Sequence, residues 1–310
     1  MRIAKIILAI AVLIVIAAVG FVYLAPESAV HLLVNAMRAQ AGLDRKEIRL
    51  PDGLRYVYLE GGQGAPLMLL HGFGANKDNF ILVAGFLTKH YRVIIPDHIG
   101  FGESSHPADA DYSPPAQARR LRSFAHALGL TGLHIGGNSM GGHIAMTYAA
   151  LYPGDVKSLW LLDPSGVWSA PKGMVRTAIE TTGKNPLMVK TEEDFATLMQ
   201  WVMSKPPFAP RPILNVLARE RIANYTLEER IFREITADSV EPRVTGLTVP
   251  ALIVWGGEDR VLHPESAKIL NRLMPRSRVI LMPKTGHTPM FENPQQSARD
   301  YLTFRASLQQ

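Results

Sequence analysis

Three residues of the 310-residue chain have the types and the order needed for nucleophilic catalysis: Ser139, Asp259 and His287. Ser139 lies between Gly137 and Gly141, at the end of an apolar run and before a helical pattern. Glycines on both sides permit a sharp turn, which would expose the hydroxyl group at a helix N-terminus that favours negative charge. A serine nucleophile needs this exposure, a base and an electropositive pocket. Ordinary glycine-rich turns share the pattern, so the catalytic hypothesis needs support from the rest of the chain.

Asp259 and His287 each follow an apolar run that has the length of a buried strand. Residues 251–255 precede Asp259, and residues 279–282 precede His287. A histidine can take the serine proton and return it to a leaving group. An aspartate can hold the histidine tautomer and stabilise the imidazolium. The chain order serine, aspartate, histidine therefore predicts a catalytic triad.

Further apolar runs alternate with helical patterns and predict the elements that position these residues. The strands are expected at residues 67–70, 93–95, 133–136 and 159–162, and the helices at residues 80–87, 116–128 and 143–151. This alternation is typical of an α/β fold with a mainly parallel sheet that helices cover on both faces. Ligands of such sheets bind beyond the carboxyl ends of the strands. Residues 47–50 and 56–59 predict an antiparallel hairpin at the sheet edge.

The motif His71-Gly72-Phe73-Gly74 follows the strand at residues 67–70. Together with Gly-x-Ser-x-Gly and the triad order, it makes the chain from Arg45 onward resemble the α/β-hydrolase superfamily. The resemblance implies the α/β-hydrolase fold, with a mainly parallel eight-stranded sheet flanked by helices and a helical cap inserted after strand 6. It also implies an oxyanion hole formed by the backbone N–H groups of Phe73 and Met140.

The resemblance also orders the candidates for the acid and for the accessory histidines. Asp259 matches the family's Gly-x-x-Asp pattern, which makes Glu258 the weaker rival. Asp163 remains a second alternative, since some lipases of the superfamily carry the triad acid after that strand. His71 is expected to be structural, and His98 either structural or in contact with substrate.

The strand and helix alternation stops between residues 164 and 248, where the resemblance places the cap. Helices are predicted at residues 169–182, 192–203, 213–222 and 227–235. Flexible apolar side chains accommodate varied apolar ligands. On this ground the predicted substrate contacts are Met188, Met199, Trp201, Met203 and Phe208. The alternative is that these side chains only pack the cap onto the body.

Residues 6–24 form an apolar stretch without a charged residue. About 20 such residues suffice for a helix to cross a bilayer. The stretch exceeds the apolar core of a secretory signal peptide, and no clean cleavage site follows, which favours an uncleaved signal anchor over a cleaved signal. Arg2 and Lys5 precede it, so the positive-inside rule predicts a single-pass protein of the inner membrane with its body in the periplasm.

The predicted organisation has five segments. They are a transmembrane anchor (1–25), a juxtamembrane helix (26–44), the first part of the hydrolase core (45–163), the cap (164–248) and the second part of the core (249–310). Dimerisation through the first two segments remains open, because neither contains the Gly-x-x-x-Gly motif of packed membrane helices.

Composition narrows the chemistry further. The chain has no cysteine, which excludes a disulfide framework, a cysteine nucleophile and thiolate metal sites. No metal-binding histidine spacing or phosphate-binding loop is present, so no cofactor is expected. The net charge of +6 comes without a basic run interleaved with aromatic residues, which argues against nucleic-acid binding.

Two branches of the superfamily compete for the function. Membrane-anchored monoacylglycerol lipases and bacterial membrane-bound phospholipases share the N-terminal span, and residues 71–78 and 152–156 resemble theirs. Carbon–carbon bond hydrolases of aromatic ring-cleavage products are soluble and usually carry Trp where this chain has Thr288. The span favours hydrolysis of an ester on a monoacylglycerol, lysophospholipid or phospholipid, through an acyl-enzyme on Ser139. A non-catalytic receptor on the same fold is the third hypothesis.

Overall fold

A computed structural model describes residues 2–308 and places eight strands in one sheet within that range. The order across the sheet is β1-β2-β4-β3-β5-β6-β7-β8. The strands are β1 (Asp44–Arg49), β2 (Arg55–Gly61), β3 (Pro66–Leu70), β4 (Arg92–Pro96), β5 (Leu133–Asn138), β6 (Val156–Leu162), β7 (Ala251–Gly256) and β8 (Ser277–Met282). β1 and β2 pair antiparallel, as do β2 and β4, and every pairing from β4 to β8 is parallel. The predicted mainly parallel eight-stranded sheet is confirmed.

The burial of each strand follows its place in the sheet. β5 and β7 are buried along their whole length, as expected for central strands covered on both faces. The edge strands β1 and β8 are mostly exposed, and β1 carries the charged sequence Asp-Arg-Lys-Glu-Ile-Arg. Charged side chains on an edge strand discourage pairing with another molecule.

The helices cover both faces and also form a separate group between β6 and β7. They are α1 (Arg2–Leu24), α2 (Pro26–Gln40), α3 (Ile81–Leu87), α4 (Pro114–Ala127), α5 (Met140–Leu151), α6 (Met174–Thr182), α7 (Glu192–Val202), α8 (Arg211–Ala223), α9 (Tyr225–Thr236), α10 (Glu241–Val244), α11 (Glu265–Leu273), α12 (Pro289–Glu292) and α13 (Pro294–Ser307).

Two apolar clusters lie on opposite faces of the sheet because alternate side chains of each strand point to opposite sides. In β3, Met68 and Leu70 join one cluster, which also contains residues of α4, α5 and α11. Leu67 and Leu69 join the other, together with residues of α3 and α13. The carboxyl ends of the parallel strands are thus held at one rigid edge.

The insertion, defined here as residues 163–250 between β6 and β7, contains α6 to α10. Its first predicted helix, at residues 169–182, starts too early: the observed helix begins at Met174. Pro171 and Gly173 both precede that start, and the backbone N–H groups of Trp168 and Ser169 bond to the Glu241 side chain instead. The short helix α10 has no counterpart in the predicted set.

The N-terminal helices differ in how they relate to the body. None of the residues of α1 is buried, and within residues 2–308 it is the one helix long and apolar enough to cross a membrane. α2 packs against α8 of the insertion, and Glu27 forms an ion pair with Arg219 there. Val34 and Met37 of α2 also pack against the apolar cluster that contains α3. α2 is therefore part of the folded body.

Candidate active site

Ser139 occupies a strained turn between the end of β5 and the start of α5. Its φ of 51° and ψ of −118° are unusual for a residue with a side chain. The flanking glycines are required by close approach: a Cβ at Gly137 would lie 2.3 Å from the Gly141 oxygen, and one at Gly141 would lie 2.1 Å from the Leu70 oxygen. Tight packing of β3, β5 and α5 thus fixes the position of the serine.

His287 and Asp259 form a buried hydrogen-bonded pair in the loops after β8 and β7. Nδ1 of His287 donates to Oδ2 of Asp259 at 2.8 Å. Trp255 Nε1 donates to the same oxygen at 3.1 Å, and the N–H groups of Val261 and Leu262 donate to Oδ1 at 2.8 and 3.1 Å. Because a carboxylate can only accept hydrogen bonds, the histidine proton resides on Nδ1, and Nε2 is left free to accept a proton.

The two other acid candidates have different partners. The Glu258 side chain accepts a hydrogen bond from Ser204 of the insertion. Asp163 is fully buried, and its Oδ1 accepts the Gly256 N–H at 2.8 Å. The structure therefore brings His287 into direct hydrogen bonding with Asp259.

The loop after β3 brings Phe73 beside Ser139 in the same cavity. His71 braces this loop, since its Nδ1 donates to the Gly72 oxygen at 2.8 Å and its Nε2 accepts the His98 N–H at 3.0 Å. Burial lowers the pKa of both histidines, so they are neutral near pH 7. His98 is fully buried and outside the cavity lining, so among the described residues it has a structural position.

The second potential oxyanion donor is Met140, the first residue of α5. The first N–H groups of a helix have no intrahelical acceptor and carry a partial positive charge. The geometry is therefore compatible with the pair of donors expected at Phe73 and Met140.

A buried ion pair from the insertion packs over the same loop. Arg221 donates to Glu228 at 2.7 Å and to the Leu187 oxygen at 2.8 Å. Its guanidinium carbon lies 5.4 Å from the centre of the Phe73 ring. A Cβ on Gly74 would lie 2.1 Å from that carbon, so a glycine is needed there. No sequence pattern indicates this ion pair, because its residues are separated from Phe73 by about half the chain.

A second cluster of charged side chains, centred on the buried Lys77, supports the loop after β3. Lys77 Nζ donates to Asp97 at 2.9 Å and to Glu103 at 2.7 Å. Burial alone would lower the pKa of Lys77, but the neighbouring carboxylates of Asp97, Asp78 and Glu103 together outweigh burial and raise this pKa. Burial would likewise raise the pKa of Glu103, but hydrogen bonds from Arg45 and Lys77 hold it at about 2. These charges link the loops after β3 and β4.

A cavity of about 300 Å³ contains both Ser139 and His287 in its lining. Polar side chains after β3, including Asn76 and Asp78, line one part of it. Apolar side chains of the insertion line another part: Leu187, Phe195, Leu198, Met199, Val202 and Met203. The lining of the cavity thus includes both a polar region and an apolar region.

The predicted substrate contacts agree only in part with this lining. Met199 and Met203 line the cavity, whereas Met188, Trp201 and Phe208 are outside the described lining. Phe208 is 95% exposed. Trp201 lies off the face of α7 that carries the lining residues, and at the preceding turn the neighbour Leu187 points inward in place of Met188. The sequence signal for this lining is an i, i+3, i+4, i+7 spacing of apolar residues on one face of α7, at Phe195, Leu198, Met199 and Val202.

The Asp259 carboxylate has little capacity left for a metal ion. Four N–H donors already occupy the Asp259 carboxylate, which has about four lone-pair positions. This group is therefore organised for hydrogen bonding to the histidine.

Comparison with known proteins places this geometry among relatives. The family model described as the alpha/beta hydrolase fold matches residues 65–294. Lipase 1 of Psychrobacter immobilis is 43% identical over 285 residues, which are 89% of each chain. Monoacylglycerol lipase ABHD6 of Bos taurus is 29% identical over 311 residues, covering 95% of this chain and 91% of the relative. The crystal structure of a membrane phospholipase A, described as a bacterial virulence factor, superposes with a TM-score of 0.89 at 37% identity and covers 100% and 99% of the two chains.

Proposed function

The chain belongs to the α/β-hydrolase fold family, and from this premise we propose that it hydrolyses carboxylic esters of lipids through an acyl-enzyme on Ser139. The observation that carries the proposal is the hydrogen bond from His287 to Asp259, in the same cavity wall as the strained Ser139. The relatives named as lipases and the phospholipase A structure support a lipid ester as the substrate.

The proposed reaction has two halves. Ser139 Oγ attacks the ester carbonyl carbon while Nε2 of His287 takes the hydroxyl proton, and the negative oxygen accepts the N–H groups of Phe73 and Met140. The C–O bond to the alcohol then breaks, and His287 returns the proton to the leaving oxygen. Water next attacks the acyl group with His287 again as base, which releases the fatty acid and restores Ser139.

The cavity supports the assignment of lipid substrates. An acyl chain fits the apolar region formed by residues of α7 such as Met199 and Val202. The hydroxyl groups of a glycerol headgroup fit the polar region at Asn76 and Asp78. Monoacylglycerols, lysophospholipids and phospholipids all combine these two chemistries, and they are the proposed substrate classes.

A lipid panel on the detergent-purified full-length protein tests this function. We expect release of fatty acid from at least one of monoacylglycerol, lysophospholipid and diacyl phospholipid, together with labelling of the protein by a fluorophosphonate. Turnover of a vinylogous diketone without release of fatty acid would assign the chain to the carbon–carbon bond hydrolases. If the protein shows no turnover and is not labelled by the fluorophosphonate, a non-catalytic receptor is favoured.

We further propose that α1 anchors the protein as a single-pass segment of the inner membrane, with the body in the periplasm. The length and apolarity of α1, and its exposed side chains, support this. The cluster of exposed leucines on α2, Leu32 and Leu33, supports a homodimer through α1 and α2.

Deleting residues 1–24 is expected to release the protein from the membrane fraction, because the remaining surface lacks a spanning segment within the described range. Its rate on a short soluble ester should stay near that of the full-length chain, while its rate on lipid in vesicles falls.

Since the chain has no cysteine, Phe208→Cys provides a unique exposed thiol for a membrane-impermeant maleimide, which tests the orientation of the body. If alkaline treatment extracts the full-length chain from the membrane, α1 is not an anchor. If the thiol is labelled only after the inner membrane is disrupted, the body is not in the periplasm. Cross-linking of full-length and truncated protein tests the dimer.

A further inference from the structure

A second carboxyl group lies beside the proposed triad acid and takes no part in the reaction described above. Asp163 directly follows β6, is fully buried and has a φ of 46°. One oxygen from each of Asp163 and Asp259 and one ring nitrogen of His287 lie within 4.8 Å of one another. Oδ2 of Asp163 is buried and accepts no hydrogen bond from a donor group among residues 2–308. A carboxylate in this state would be costly, whereas a carboxylic acid is tolerated.

The hydrogen bonds decide which of the two carboxyl groups is ionised. Two buried carboxylates at this distance repel each other strongly, so one of them keeps a proton. Asp259 accepts four N–H donors and Asp163 accepts one. Burial raises the pKa of Asp163 well above its usual range, and the negative charges of Asp259 and Glu292 raise it further. The proton therefore resides on Asp163.

We propose that Asp163 is a reserve acid of the triad, held neutral beside the ionised Asp259 and able to support His287 in its place. The proposal rests on the serine mechanism proposed above. In the wild type Asp259 alone supports His287, and Asp163 acts through His287 as a positioning residue only where Asp259 is absent.

The consequence appears when Asp259 is removed. In the Asp259→Ala variant the neighbouring negative charge is gone, so Asp163 ionises at a lower pH than in the wild type. Its carboxylate can then accept the Nδ1 proton of His287 across the space left by the deleted side chain. Alanine is preferred to asparagine at position 259, because an amide N–H group facing Nδ1 would favour the wrong histidine tautomer.

Four proteins test the proposal by kcat/KM on a soluble p-nitrophenyl ester: the wild type, Asp163→Asn, Asp259→Ala and the double variant. Asparagine at 163 suits a positive φ and keeps the acceptor for the Gly256 N–H. We expect Asp163→Asn to stay within about threefold of the wild type, Asp259→Ala to lose about 10²-fold and the double variant about 10⁴-fold. As the pH rises and Asp163 loses its proton, the ratio of the rate of Asp259→Ala to that of the double variant should increase.

Two results would overturn the proposal. If Asp259→Ala is as slow as the double variant, Asp163 gives no support to His287. If Asp163→Asn moves the acidic limb of the pH profile down by about one unit, Asp163 was ionised, because loss of a negative charge makes the imidazolium easier to deprotonate. Should the double variant fail to fold, the infrared carbonyl band of a protonated carboxylic acid, present in the wild type and absent in Asp163→Asn, decides the protonation state. Loss of turnover in Ser139→Ala keeps the serine mechanism intact in either case.

Discussion

Replacement of Ser139 by alanine is expected to lower kcat/KM for ester hydrolysis by about 10⁴- to 10⁶-fold. The substitution deletes the atom that attacks the carbonyl carbon, so the remaining donors of the cavity can stabilise only the slow attack of water. The fold should persist, because the serine hydroxyl contributes no hydrogen bond on which the packing of β5 and α5 depends. Rates of fatty-acid release and of p-nitrophenyl ester cleavage measure the loss.

Ser165→Ala is the matched control for this substitution. Ser165 lies in the loop after β6, and its backbone N–H donates to the backbone carbonyl oxygen of Ser139 at 3.0 Å. Alanine at position 165 preserves this bond. Its hydroxyl is buried without a partner in the described chain, so its loss should leave kcat/KM within about threefold of the wild type. Equal activity of Ser139→Ala and Ser165→Ala would refute the acyl-enzyme mechanism.

The sheet and the order of the loops that carry Ser139, Asp259 and His287 could be predicted because both follow from local patterns. Apolar runs such as residues 251–255 are long enough for one buried strand, and the structure places β7 there, at Ala251–Gly256. The Gly-x-Ser-x-Gly pattern is likewise local, since the glycines are needed within four residues of Ser139. Parallel strands bring their carboxyl ends to one edge, so correct strands lead directly to neighbouring loops.

The wall of the cavity was harder to predict because it depends on contacts between distant segments. The choice of Leu187 over Met188 depends on how the segment between α6 and α7 packs on the body. The ion pair of Arg221 and Glu228 owes its place over Phe73 to the packing of α8. Sequence spacing shows that α7 has an apolar face, but packing decides which residues of that face reach the substrate.

Gly141→Ala is expected to damage both stability and activity. A Cβ at this position would lie 2.1 Å from the Leu70 oxygen and 2.6 Å from the His71 oxygen, both of them backbone atoms of β3 and its loop. Overpacking against backbone costs about 1–3 kcal/mol or more. The gain in helix propensity from glycine to alanine is only about 1 kcal/mol, so the clash dominates. Relief requires α5 to move away from β3, and α5 carries the N–H group of Met140 and adjoins Ser139.

The displacement links this packing contact to catalysis, since a shift of about 1 Å in a catalytic group can cost about 10²-fold in rate. We therefore expect Gly141→Ala to lower both the midpoint of thermal unfolding and kcat/KM, the latter by about 10²-fold. Gly154→Ala is the control, because a Cβ there has no heavy atom within 4 Å and the residue lies outside the positive-φ region. If Gly141→Ala has the same midpoint of thermal unfolding and the same kcat/KM as Gly154→Ala, then the packing of β3 against α5 does not fix the turn at Ser139. The glycines of the motif would then serve another purpose.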